Sequence, residues 1–229
     1  MSISLTTIDE KWDAHLDAER RGLRASALSI LKELIELLNT VEPIIRREWV
    51  LQLVAKVVED ESGIKIRFPL FNQIILPELV AEVLAGRQEC ARWLAHFDGH
   101  FRGSMSQMGS LPESMQSKVG LLLEALRVDP QDQGARRVLV EERSRYLEYT
   151  LHELPAGVLY GHDGATISQC VELAGLLEDF RNEVELLGES SIHKKLVESC
   201  AFHFNKYRQY LEAKRPGHSY WRFAFGAKA

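Results

Sequence analysis

Residues 133–154 read QGARRVLVEERSRYLEYTLHEL, with no proline, one glycine near the start, and mostly side chains that lose little rotamer freedom in a helix. Turned at about 100° per residue, Val140, Leu147, Leu151 and Leu154 share one sector, the expected core face. Leu139, Glu142, Tyr146, Tyr149 and Glu153 fall in the adjoining one. Carboxylates among tyrosines suit either a polar pocket for a basic group or the wet rim of a helix contact. Glu142, Tyr146, Tyr149 and Glu153 are therefore candidate protein-binding residues.

The same period runs outward in both directions. A first helix, capped by Thr6 or Thr7, is expected to run to Leu38 with a break near Gly22. A second opens at Pro43 and stops near Gly63. The alternation of Ile64, Ile66 and Phe68 finds no strand partner and reads as an extended linker. Residues 70–85 are helical again, kinked or split by Pro77. Residues 89–97 form a short helix, and the Gly- and Ser-rich stretch after it reads as a long loop. Pro112 is expected to open the next helix, and Asp129-Pro130 to turn the chain into residues 133–154. Two further helices cover 165–187 and 190–213. The fold class is all-α: an irregular multi-helix bundle, or a short array of helical hairpins, of about eight or nine helices. One domain over 1–229 is expected, with a sub-boundary in the loop 99–111.

The net charge of −5 hides an asymmetry. From Lys194 onward eight Lys or Arg stand against two Glu, which leaves +6 there and −11 on the rest. Cys90, Cys170 and Cys200 are odd in number, widely spaced and embedded in helical pattern, so they suggest neither disulfides nor a thiolate zinc site. The opening residues lack the pattern of a secretory signal, and no apolar run has the length of a membrane helix. The expected location is the cytoplasm, with no membrane partner.

The densest chemistry is LHELPAGVLYGHDGA, residues 151–165. His152 and Glu153 begin a zinc-protease helix motif, but Ala156 stands where the second His belongs and Pro155 ends the helix. His152, Glu153, His162 and Asp163 could gather at a metal across the turn. The simpler reading is an interhelical link, with Asp163 as N-cap of a helix beginning near Ala165. His96 and His100 sit four apart around Asp98, and helix-end histidines explain them. No metal and no cofactor are expected.

In the last helix Ile192, Leu196, Cys200, His203, Phe204, Tyr207 and Leu211 make a buried stripe. Phe202 projects opposite, with Lys195 and Lys206 on its side, as a contact point for an acidic partner or a nucleic-acid base. The tail GHSYWRFAFGAKA is too apolar to stay in water. It is expected to dock back on its own bundle, with a homodimer or another partner as the alternative.

The stretch LLLEALRVDPQDQGARRVLVEER, with Ala125 five residues before Pro130 and Ala135 and Leu139 opening the next helix, resembles the seam between two tetratricopeptide repeats over residues 118–146. Arg136, Val140 and Arg143 stand where that family has a large, a small and an aromatic residue. The resemblance implies a groove for peptides or partner proteins. With no nucleophile–base pair, phosphate loop or dinucleotide fingerprint, the expected function is non-enzymatic protein binding. A bacterial immunity protein that masks a basic toxin domain, or an adaptor, would suit such a chain. A metal-dependent or hydrolytic enzyme using the histidines near the turn is second. Nucleic-acid contact through the basic tail is third, because the acidic body repels phosphate.

Overall fold

The computed structural model describes residues 5–60, 63–103, 108–154, 158–159, 162–163, 166–213 and 219–226; the side chains of residues 102, 158, 159, 162 and 163 lie outside this description. The fold is an all-α multi-helix bundle. It divides into two compact units, 1–132 and 133–229, and residues 99–111 fall within the first. Among the described residues no helix is long and apolar enough to cross a membrane.

The first unit opens with α1 (Leu5–Arg20) and α2 (Arg24–Thr40), a packed hairpin broken where expected, at Gly22 with φ 71°. Thr6 and Thr7 lie inside the first turn of α1 rather than capping it. His15 is buried, and its Nδ1 lies 3.0 Å from the Ala27 carbonyl in the facing helix. Helix α3 (Pro43–Val58) begins on its proline and buries Trp49, Val50, Leu53, Val54 and Val57. Residues 63–67 have no regular secondary structure, with Gly63 at φ 68° and Arg67 extended.

Helix then starts at Phe68, earlier than the sequence suggests: α4 (Phe68–Leu70), a π turn (Phe71–Ile75) and α5 (Leu76–Leu84). Pro77 neither splits nor ends this segment. Its missing N–H and its ring disturb the preceding turn, and the backbone widens there, with the Leu76 N–H donating to the Phe71 carbonyl. On α5, Glu78 and Glu82 are buried one turn apart and answered by arginines. Arg46 Nε lies 2.7 Å and Arg47 Nε 3.5 Å from Glu78, and Arg87 Nη1 lies 3.2 Å from Glu82.

Helix α6 (Cys90–His96) carries Arg92, whose guanidinium holds Glu59 at 2.8 Å and Asp132 at 2.9 Å. The Trp93 indole also donates to Glu59, at 2.5 Å. Pro112 does not open a long helix. It precedes one 3-10 turn, Glu113–Met115, and α7 (Lys118–Val128) starts only after Ser117, whose hydroxyl accepts the Gly120 N–H. Gly120 is required there: a Cβ would lie 1.8 Å from the Ser114 carbonyl oxygen.

The second unit has its own core. Helix α8 (Gln133–Glu153) packs on both α9 (Ile167–Leu186) and α10 (Ser190–Glu212), which form a hairpin through Gly188. Val140 and Leu147 of α8 and Leu154 just past its end share a cluster with Cys170, Leu173, Leu177, Phe180 and Val184 of α9 and Cys200, Phe204 and Tyr207 of α10. Between α8 and α9 the backbone forms a two-residue antiparallel ladder, β1 (Val158–Leu159) against β2 (His162–Asp163). Asp163 pairs with Val158 in that ladder and is not the cap of α9. The cap is Thr166: its hydroxyl accepts the Gln169 N–H at 3.2 Å, and the Gln169 side chain accepts the Thr166 N–H at 2.8 Å.

Candidate protein-binding face

Helix α10 carries two faces. The inner one buries Cys200, Phe204 and Tyr207. Ile192, expected in that stripe, is 72% exposed in the first turn, while Leu196, His203 and Leu211 are half-buried. On the other face Lys195, Phe202 and Lys206 recur at i, i+7 and i+11, which keeps them on one line along the helix.

The tail folds as α11 (Tyr220–Phe225), capped by the Ser219 hydroxyl, and it packs in cis on α10. Tyr220 is the anchor. Its ring is buried 4.9 Å from the Tyr207 ring and 6.0 Å from that of Tyr210, and its Oη lies 2.6 Å from His203 Nδ1. Burial pushes the Tyr220 hydroxyl up to about 12, so it stays protonated and able to donate. Burial also lowers the pKa of His203, which sits within 6.1 Å of the rings of Tyr220, Trp221 and Phe225.

Seating Tyr220 places Phe225 beside Phe202, and Trp221 beside Phe225. Phe225 lies 5.7 Å from Phe202, and Trp221 lies 5.3 Å from Phe225 with the planes 22° apart. Phe202, Phe225 and Trp221 remain 39%, 51% and 45% exposed. Half-exposed rings in mutual contact form a continuous apolar surface, not scattered hydrophobes. Lys195 and Arg222 engage no carboxylate among the described residues, and Lys206 Nζ reaches only the Gln209 amide at 3.5 Å. The face is therefore aromatic at its centre and cationic at its margin. The sequence singled out Phe202, Lys195 and Lys206 but not Trp221 and Phe225 as their neighbours.

The other expected protein-binding residues, Glu142, Tyr146, Tyr149 and Glu153, recur at i, i+4, i+7 and i+11 along α8. On α8, Glu142 is half-buried and bridged by Arg145 at 3.1 Å, Tyr146 and Glu153 are half-buried, and Tyr149 is exposed. His152 is exposed, with Nε2 3.8 Å from Glu153. The His162 and Asp163 side chains lie outside the described residues, and among the described residues no three His, Cys, Asp or Glu are grouped to hold a metal. His96 is desolvated, which lowers its pKa, and His100 packs its ring 4.8 Å from that of Phe71.

Arg136 and Arg143, the departures from the repeat pattern, are both buried on α8 and turned toward α9. Arg136 Nη1 lies 3.1 Å from Glu183, and Arg143 Nη2 lies 3.6 Å from Asp179. Ala125 in the first unit and Ala135 and Leu139 in the second are buried. Comparison with family models, with curated proteins and with solved structures finds no match to this chain.

Proposed function

We propose that this chain is a non-enzymatic helical binding module that works in the cytoplasm by masking or scaffolding another protein, in the manner of an adaptor or an immunity protein. The partner segment it takes is acidic and apolar by turns. What carries the reading is a run of three half-exposed rings, Phe202 to Phe225 to Trp221, on the two helices that also carry the cations Lys195, Lys206 and Arg222. Aromatic rings offer large rigid area at low entropic cost, and the surrounding cations steer an anionic segment and fix its register. The tetratricopeptide-like seam fits the same mode, since stacked helical hairpins commonly serve as docking surfaces.

The test is a Phe202→Ala, Lys195→Glu, Lys206→Glu variant. Phe202 is exposed and both lysines lie outside the core, so the variant keeps its circular dichroism spectrum. A fluorescent peptide of alternating Glu and Leu should bind the wild type, more weakly as NaCl rises, and the variant should not bind it. Equal binding by the two proteins removes this face from consideration.

A further inference from the structure

The second unit is divided in charge. Residues 133–193 carry five Arg against eleven Asp or Glu, a balance of −6, and the stretch from Lys194 onward carries +6. Among the described residues, the charged contacts of α10 stay within that helix and its cap: His193 with Glu189, Lys194 with Glu198, Arg208 with Glu212. Arg136–Glu183 and Arg143–Asp179 join α8 to α9 and leave α10 out. The positive helix is therefore not neutralised by the negative ones it packs against.

Two lines of side chains on this unit match in length and in pattern. On α8, Glu142 and Glu153 stand eleven residues apart, with Tyr146 and Tyr149 between them. On α10, Lys195 and Lys206 also stand eleven residues apart, with Phe202 between them. That spacing is about three helical turns, so both ends of each line face the same way and lie about 16 Å apart. Tyr149 and Phe202 are exposed, and Glu142 and Glu153 are half-buried at the flank of α8. Arg145, which bridges Glu142 at 3.1 Å, is itself exposed and can swing aside.

We propose that the α10–α11 face is covered by the α8 line of a second copy of this chain, and that an acidic partner gains the face by displacing that copy. The inference rests on the binding role given to Lys195, Phe202 and Lys206, and it names what occupies them when no other partner is present. A lysine meets a carboxylate at each end, and Tyr149 meets Phe202 and Phe225 in the middle. Because each line carries like charges at its two ends, the pairing works in either direction. Two α10 faces would instead bring four lysines together, and two α8 lines four carboxylates. The contact therefore joins unlike faces, α10 of one copy to α8 of another. Exposed ion pairs contribute little and are screened, so the assembly is weak and sensitive to salt.

The experiment is sedimentation velocity on the full chain from micromolar to millimolar concentration. At low salt the average mass should climb with concentration beyond that of one chain, and added NaCl should bring it back. A Lys195→Glu, Lys206→Glu variant should stay monomeric, and so should a Glu142→Lys, Glu153→Lys variant. Mixed in equal amounts the two should associate again, because each offers the charge that the other lacks. Should the Glu142 change unsettle α8 by circular dichroism, Tyr149→Ala, at an exposed position, tests the same face and should weaken association about tenfold. An excess of the alternating Glu and Leu peptide should disperse the wild-type assembly. Association that survives charge reversal, a mixture that stays monomeric, or an assembly that the peptide leaves intact would each overturn the inference. A wild type that is monomeric throughout yet binds the peptide would remove the second copy and leave the binding reading standing. One that neither associates nor binds would remove both.

Discussion

Arg143 shows how a charge can sit in a helix core at a loss. Its side chain is 7% exposed, its Nε has no hydrogen-bond partner, and its ion pair is a 3.6 Å contact with an Asp179 that is itself mostly in water. Burial lowers its pKa, outweighing the pull of Asp179 and Glu183. A desolvated cation so loosely paired returns little of its solvation cost. Arg143→Met keeps the stem volume and leaves behind only an exposed carboxylate, so it should raise stability by about 1 kcal/mol in urea denaturation. Asp179→Ala should do the opposite. The sequence could not reveal this, because an arginine on a helical projection looks solvent-facing whatever its true neighbours.

At the scale of elements, α10 and α11 stand or fall together through His203. Its folded-state pKa lies below the ordinary 6.5, so the folded tail favours neutral imidazole. The sign follows directly: this contribution is complete above pH ~6.5 and is lost as pH falls through the folded value. Acidifying from pH 7 to pH 5 should loosen α11 and shift Trp221 emission to the red, while a His203→Phe variant should show a much smaller shift. An unchanged wild-type spectrum would mean that Tyr220 alone anchors the tail. Helix existence was legible along almost the whole chain because the 3.6-residue period is strong. Starts were less so. Pro112 and Asp163 each look like openings, yet Ser117 and Thr166 are the caps, because the local bonds of a hydroxyl outweigh a favourable residue type. Phe202 is exposed on α10, but a projection of one helix cannot show that a later helix will lie beside it.

For the whole molecule, the second unit carries a hydrophobic cluster drawn from residues 140–220. A hairpin, the long helix beside it and a docked tail bury these apolar side chains against one another within one stretch of chain. Residues 133–229 expressed by themselves should therefore give a helical spectrum and one cooperative thermal transition. A fragment that remains unfolded or molten would show that the first unit is needed to complete it. Composition hid this division, since neither glycine content nor charge changes abruptly at Asp132; what changes is which helices share neighbours.

The three cysteines, all buried, turn that division into something a chemist can time. Desolvation pushes Cys90 and Cys200 up to about 12 and raises Cys170 as well, so almost no thiolate is present at neutral pH. An alkylating reagent must wait for the surrounding helices to part before it can react. Cys90 sits in the first unit and the other two in the second, so the chain carries a separate clock for the opening of each half, with no probe added.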